Sequence, residues 1–530
     1  MILDKIIIEN FKCLNRVEIQ FKDDINIIVG DNETGKSTLL EAINLVLSGQ
    51  LNGRPVQYGL SPFLFHDTTV EQYIKDLVAL KQVKPPRIII EAYFKNEKQW
   101  ARLRGTNNSL KVDVPGISLT IEFDEKYSEE YKEYIKKPQE LRTVPVEYYQ
   151  VNWFAFSYNP VTSRSIPINV TFIDTTLVRD YSGADKYILK IIDDTLTNKE
   201  KADLSLTFRK LKEKFMEEQA IVEINKQLCN KKGEVSDKDL SVSIDISPRT
   251  KWESNLTPYL DEIPFSFIGK GEQNSVKINL ALESNAESHI FLVEEPENHL
   301  SFSNMNKLIR KISQKCKGKQ LIITTHSAFV LNKLGIENLI LFSCNKVMTI
   351  EKLSENTKDY FMKLPGYDTL RLILSKKSIL VEGPSDELII QKAYFQEYGK
   401  LPIEDGVDVI SVRSLAFKRF LEIADLLNLE VYVVTDNDGD IDKLKEKYKE
   451  FENSKNIFIS FDNDINCPTL ESQVVNINSL EVLNTILGSN FNDKKQILNY
   501  MKDNKTEWAL KVFSAKQNIC IPGYIQNAIK

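Results

Sequence analysis

Cysteine is scarce and scattered: six in 530 residues, at positions 13, 229, 316, 344, 467 and 520, with no close pair. That pattern argues against a disulfide framework and against a cysteine-based zinc site. The four histidines (66, 289, 299 and 326) are likewise dispersed. No apolar run approaches the roughly 18 residues that a membrane-spanning helix needs. The opening Met1-Ile2-Leu3-Asp4-Lys5 lacks the basic, apolar, small-residue succession of an export signal. A cytoplasmic protein without membrane partners is therefore expected. Positive charge in excess is missing too. A net charge of −6 offers no global attraction for nucleic acid and leaves such binding to local basic patches. Sustained heptads are also absent, which excludes long coiled-coil arms. What remains is an ordinary globular composition, 42% hydrophobic and 27% charged, in a chain long enough for two or three domains.

Against that background, one segment near the start carries chemistry. Ile6 to Phe11 and Ile25 to Val29 read as short strands, and the second runs directly into Gly30-Asp31-Asn32-Glu33-Thr34-Gly35-Lys36-Ser37. The spacing G-x-x-x-x-G-K-S lets backbone N–H groups wrap phosphates. Gly30, Asn32, Gly35, Lys36, Ser37 and Thr38 are thus candidate ATP-binding residues. Lys36 is expected on the β- and γ-phosphates and Ser37 on Mg²⁺. An amphipathic helix is expected from Leu39 to Leu47, its positive end facing the anion.

The second half of such a site lies far downstream. His289 to Val293 is a buried strand that ends in Glu294-Glu295-Pro296-Glu297-Asn298-His299-Leu300. Glu294 is placed to hold Mg²⁺ through water, and Glu295 to polarise an attacking water. A further apolar strand, Leu321 to Thr325, ends at His326, which can sense a γ-phosphate or, more simply, cap a turn. Ile268-Gly269-Lys270-Gly271-Glu272-Gln273, followed by helix-forming sequence from Asn274 to Leu282, resembles the signature loop of ABC-type ATPases. That resemblance implies that Lys270, Gly271 and Glu272 complete the nucleotide site of another subunit in a head-to-tail dimer. Gly269-Lys270 stands where that loop usually has a serine. The opening Ile-Glu-Asn-Phe-Lys resembles the chromosome-maintenance and repair branch rather than transporter ATPases.

Between the halves, residues from about Asp180 to Lys232 are charged and helix-prone, with apolar positions at Ile188, Ile191, Ile192, Phe208, Leu211, Phe215, Ile221 and Ile224. An inserted helical hairpin is expected, packing on its own domain or forming a dimer contact. Lys231 to Asp239 reads as a surface loop. Trp153, Phe154 and Phe156 are expected in the core.

From Ser375 the texture changes to strand–helix alternation, which predicts a parallel sheet with helices on both faces. Strands are expected at Ser378–Val381, Val407–Val412, Glu430–Thr435 and Ile457–Phe461, with a helix beginning near Asp386. Functional groups of such a sheet gather at the carboxyl ends of its strands, where Glu382, Asp436 and Asp438 fall. Carboxylates converging there repel one another unless cations intervene, and oxygen-rich sites suit Mg²⁺ or Mn²⁺. Their natural chemistry is phosphodiester cleavage. A calcium-loop reading of Asp436-Asn437-Asp438-Gly439-Asp440 fails, because Ile441 and Lys447 occupy the positions of the required glycine and acid. A solvated acidic turn is the plain alternative.

A glutamate-glycine after one strand and D-x-D after a later one resembles the Toprim domain of topoisomerases, primases and certain nucleases. An ABC ATPase followed by Toprim resembles the OLD (overcoming lysogenisation defect) family of ATP-dependent nucleases, including the Gabija-type anti-phage subunit. Pro468-Thr469-Leu470-Glu471, Lys505 to Leu510, and Ile521-Pro522-Gly523-Tyr524-Ile525 resemble further segments of that family. The resemblance implies metal-holding roles for Glu382, Asp386, Asp436, Asp438 and Glu471, with Ca²⁺ a further candidate ion at that site. It also implies that Lys505, otherwise an exposed lysine, stabilises charge at the scissile phosphate. Ser301-Phe302 stands where the family often has histidine-proline.

The expected architecture is α/β. It comprises an ABC-type ATPase with a mixed sheet and helices (1–179 and 236–374), an inserted helical segment (180–235) and a Toprim-like Rossmannoid parallel-sheet domain (375–530). The expected activity is ATP-regulated, metal-dependent cutting or nicking of DNA, in defence against phage or foreign DNA. The expected assembly is a dimer or tetramer, with a helicase-like partner. Two rivals are a non-catalytic ATP-gated DNA clamp and an RNA-cleaving enzyme. A topoisomerase or primase lacks room after Ser378.

Overall fold

The computed structural model describes the chain except residues 1, 97, 163–164, 167, 175–194, 233–237, 245–251, 253–255, 285–287, 344–345, 351–352 and 413–415. Two compact units emerge, Leu3–Val161 with Thr324–Lys530, and Met1–Ile2 with Thr162–Ile323.

The first of these units opens on an antiparallel sheet in the order Leu14–Gln20, Leu3–Phe11, Ile88–Phe94, Val114–Phe123, with Tyr149–Ala155 paired to the last. Alternation along Leu14–Gln20 buries Leu14, Val17 and Ile19 and exposes the polar residues between them. A second set of strands holds Ile25–Val29 parallel to Leu339–Ser343, which pairs antiparallel with Lys346–Thr349. The helix after Gly35 runs Lys36–Ser48 and packs on the first sheet. It has the expected two faces: Leu39, Leu40, Ala42, Ile43, Leu45 and Val46 are buried, and a narrow polar stripe of Ser37, Glu41, Asn44 and Ser48 is exposed or half-buried. The aromatic segment after it departs from expectation. Phe156 is fully buried, whereas Trp153 and Phe154 are only partly covered. Trp153 instead lies across Gly49, where a Cβ would stand 2.6 Å from its ring, and its indole N–H donates to the Val46 carbonyl.

The same unit contains an all-parallel sheet, in the order Val407–Ser411, Lys377–Val381, Glu430–Val434, Ile457–Ser460. Alternate residues face opposite sides. Ile379, Val381, Val407 and Val409 share one core with Ile389, Val474, Trp508 and Ile525 from flanking helices. On the other side, Phe420 of the Phe417–Leu426 helix meets Phe361 edge-on. The helix expected near Asp386 begins two residues earlier, at Pro384, whose fixed φ suits a first turn.

Buried polar contacts join the Ala328–Leu334 helix to this sheet. Asn332, fully buried, donates through Nδ2 to the carbonyls of Pro365 and Tyr367 and accepts at Oδ1 from the Thr369 hydroxyl. Thr369 opens the Thr369–Leu374 helix, whose Arg371 grips Asp408 through two nitrogens and also reaches the Val409 carbonyl.

In the other unit, Val170–Asp174 pairs parallel with Ile290–Glu294. The helix after Gly269 runs Lys270–Ser284, starting four residues before the expected Asn274. The Gly269 carbonyl accepts from the Glu272 and Gln273 N–H groups, which draws the signature residues into the first turn. The described residues of the inserted segment include the helices Asn198–Met216 and Gln219–Cys229. Phe208 and Ile221 are partly covered, whereas Leu211, Phe215 and Ile224 are exposed. Ile188, Ile191 and Ile192, and residues 233–237 of the expected loop, lie outside the described residues.

Replacing Asn332 with alanine strands two carbonyls and a hydroxyl in the interior. We expect a loss of about 2–4 kcal/mol of stability, read as a lowered urea midpoint.

Candidate active sites

The phosphate loop is shaped by close backbone approaches. A Cβ on Gly30 would stand 2.2 Å from the Phe342 carbonyl oxygen, so no side chain fits. Gly35 has φ +99, in the left-handed region, and a Cβ there would also strike Leu14. Lys36 is buried, and its ammonium donates to the Gly30 and Asp31 carbonyls at 3.0 and 2.7 Å. Ser37 and Asn32 are exposed, and Thr38 is half-buried with its hydroxyl oxygen 3.4 Å from the Cys13 sulfur. Thr325 lies in the same unit and donates its N–H to the Ile28 carbonyl, which brings the exposed His326 to the strand that feeds the loop. Ser327, not His326, caps the following helix, accepting from the Val330 N–H.

The other half of the nucleotide machinery belongs to the other unit. Glu294 is buried at the end of its strand. Glu295 follows with φ +38, and its carboxylate accepts from Asn298 Nδ2 at 3.0 Å. Within this unit the signature turn seats on the acidic turn. Gly271 approaches His299 so closely that a Cβ would stand 2.2 Å from its carbonyl oxygen, and Asn274 Nδ2 donates to the Asn298 carbonyl. Lys270 and Glu272 remain exposed. Ser301, in place of the family's histidine, caps the Phe302–Lys315 helix.

At the parallel sheet, Glu382 follows one strand and Asp436 follows the adjacent one, because Val381 and Val434 lie in register. Glu382 accepts the Thr435 hydroxyl at 2.6 Å. Asp386 accepts the Gly383 N–H in the first helical turn, at 3.1 Å. Burial, then the negative charge of Glu382 and of Glu471, pushes the Asp386 carboxyl up to about 7. Asp436 is pushed up to about 8 by burial, followed by the charges of Asp386, Glu382, Glu471 and Asp438. Its Oδ1 is buried with no hydrogen-bond partner. The structure thus brings the other four candidate carboxylates within electrostatic range of Asp436. Asp438 itself is exposed, with φ +49. Lys505 is exposed, and its backbone carbonyl accepts the Ser385 hydroxyl at 3.0 Å, which ties it to the Glu382-Gly383-Pro384-Ser385 turn. Asp440 caps the Ile441–Tyr448 helix and takes no part in the cluster.

Among the described residues, no three Asp, Glu, His or Cys side chains already converge at ion-holding distance. The donor set nonetheless fits a hard divalent cation: a buried carboxylate oxygen without a partner, and neighbours whose repulsion a cation relieves. Sequence reasoning missed the residues behind these ligands. Asn437, to which the sequence assigns no role, is buried, its amide donating to the Asp462 and Asp464 carbonyls. Gln473 and Tyr524 are buried partners joined at 2.6 Å. Burial and the nearby Asp436 hold the Tyr524 phenol neutral. The local sequence carries no signal for that pairing.

The raised carboxyl pKa values fix a direction of pH dependence. Folded Asp436 and Asp386 hold protons that the unfolded chain releases near pH 3.8, so their contribution is fully present below that pH and is lost as pH rises toward about 8. Without divalent ions, thermal stability should fall across this window. Millimolar Mn²⁺ or an Asp436→Asn change should flatten the decline, as measured by calorimetry at stepped pH.

Comparison with known proteins agrees with this layout. Residues 1–331 match the family described as AAA ATPase domain. Residues 373–438 match the overcoming lysogenization defect protein-like TOPRIM domain. Endonuclease GajA of Bacillus cereus (strain VD045) is 22% identical over 469 residues, covering 83% of this chain and 75% of that protein. Endonuclease GajA of Bacillus cereus (strain HuB5-5) is 22% identical over 514 residues, covering 82% and 73%. DNA replication and repair protein RecF of Thermoanaerobacter sp. (strain X514) is 25% identical over 201 residues, 37% of this chain and 51% of its own. With a matched ATPase domain over more than half its length and a matched Toprim domain behind it, the chain belongs to the AAA ATPase domain family and to the OLD family of ATPase–Toprim proteins.

Proposed function

We propose that this protein is an ATP-regulated, divalent-metal-dependent endonuclease or nickase that cuts DNA, in defence against phage or other foreign DNA. One observation carries the reading: the half-buried Asp436, whose Oδ1 is buried without a partner, sits among four further carboxylates that resist its ionisation. The likeness to proteins named Endonuclease GajA supports it. Glu382, Asp386, Asp436, Asp438 and Glu471 would hold Mg²⁺ or Mn²⁺, with Ca²⁺ as a further candidate. Bound there, such an ion supplies a water nucleophilic at neutral pH and charge to stabilise the leaving oxygen. Thr435 orients Glu382 through its hydroxyl. Lys505 offers its ammonium to the scissile phosphate.

At the nucleotide site, Gly30, Asn32, Gly35, Lys36, Ser37 and Thr38 bind the triphosphate of ATP, and Ser37 and Glu294 take its Mg²⁺. Glu295, oriented by Asn298, polarises the attacking water, and His326 senses the γ-phosphate. Lys270, Gly271 and Glu272 of a second subunit close the site, so the working form is a homo-oligomer. Residues 1–179 and 236–374 form the ATPase, 180–235 an inserted contact segment and 375–530 the nuclease. No helix among the described residues is long and apolar enough to cross a membrane. We place the protein in the cytoplasm, with a helicase-like partner.

Supercoiled plasmid incubated with the protein and Mg²⁺ or Mn²⁺ tests this reading. Asp436→Ala should lower cutting about 100-fold or more, and Lys36→Ala should abolish any response to ATP. A wild-type protein that cuts nothing with either ion would leave an ATP-gated clamp instead, and cutting confined to RNA would reassign the substrate.

A further inference from the structure

Asp438 stands in a conformation that a non-glycine residue adopts at a cost, with φ +49. It must be held there. Its N–H donates to the Pro468 carbonyl at 3.2 Å. The adjacent carbonyl, of Cys467, accepts from Gln473 Nε2 at 3.1 Å. Gln473 is 1% exposed, and its other amide atom, Oε1, accepts the Tyr524 hydroxyl at 2.6 Å. Tyr524 lies on the Gly523–Ile529 helix, which is anchored in the core by the fully buried Ile525 and Ala528. On the near side, Asn437 ties the same 462–468 turn through the Asp462 and Asp464 carbonyls. Hydrogen bonds, joined through the Cys467–Pro468 backbone, thus lead from the Gly523–Ile529 helix to the backbone of Asp438.

The Tyr524 hydroxyl has one specific task in this run. A buried amide can be turned over, exchanging its oxygen and nitrogen. The Cys467 carbonyl can only accept, so the NH₂ is presented to it and Oε1 is left toward Tyr524, whose hydroxyl satisfies it. Without that hydroxyl Oε1 is buried without this donor, and the amide that anchors the turn is held at one end only. Gln473 also shares the Leu470–Ile477 helix with Glu471, so the same amide fixes the helix that carries another carboxylate.

We propose that Tyr524 is a positioning residue: through Gln473 and the 467–468 turn it sets the placement of Asp438 and Glu471 for a divalent ion. This rests on the metal-dependent reading given above. It is tested in the full-length protein with Tyr524→Phe, which keeps the ring and removes one oxygen, and with Gln473→Met. Free Mn²⁺ counted by electron paramagnetic resonance gives affinity. Plasmid cutting against Mn²⁺ concentration separates the activation midpoint from the rate at saturation.

Each variant should weaken Mn²⁺ binding and raise the activation midpoint by about tenfold, the size of effect typical of groups behind metal ligands. The rate at saturating Mn²⁺ and the ATPase rate should be preserved. The double variant should be no weaker than the poorer single one, because both changes interrupt one chain of contacts. A Tyr524→Phe protein that binds Mn²⁺ as tightly as wild type, whatever its melting temperature, would reduce Tyr524 to a packing residue and overturn the proposal. Failure of the wild type itself to bind Mn²⁺ or to cut would overturn the nuclease reading and this inference with it.

Discussion

Mutual repulsion among carboxylates is the constraint around which the C-terminal half is organised. A parallel sheet delivers Glu382 and Asp436 to the same edge because neighbouring strands run in register and end together. Helices then add Asp386 and Glu471 to that edge, and burial makes each negative charge more costly to its neighbours. A fold that only needed to be stable would place apolar or paired groups there. Keeping five acids at the strand ends is intelligible if a cation joins them, and the supporting shell of Thr435, Asn437 and Gln473 then acquires its purpose.

The N-terminal half solves a different problem, the binding of an anion by backbone. Its means are steric: Gly30 and Gly35 stand where the chain comes too close to Phe342 and Leu14 to admit a side chain. The loop helix has its amino end at the loop and is buried nearly all round, so the loop rests on a rigid base. The acidic turn and the signature turn, by contrast, are built against each other, with Gly271 seated on His299. Lys270 and Glu272 at that turn stay exposed.

Between the strand that ends at His326 and the parallel sheet there is a short polar path. Ser327 caps the helix that carries Asn332, Asn332 holds the segment leading to Thr369, and Arg371 of the next helix grips Asp408. Asp408 lies on the strand beside the one that leads to Glu382. Buried polar contacts of this kind have few alternative arrangements, since each loss leaves an unpaired group.

Much of this was legible in the sequence, and for a physical reason. Phosphate loops, strand-end carboxylates and strand–helix alternation are short-range patterns, fixed by residue spacing and backbone geometry. The strands of the parallel sheet accordingly fall within a residue or two of their expected bounds. Local pattern failed where burial depends on distant partners. Trp153 is half-covered because Gly49 lets it lie across a helix end. Sequence alone determined which residues could bind phosphate and which acids could meet. Only the tertiary structure decided that Asp436 keeps an unpartnered oxygen, that Asn437 faces inward, and that Tyr524 reaches Gln473 from the far end of the chain. Those outcomes depend on contacts between residues remote in sequence, and no local spacing encodes them.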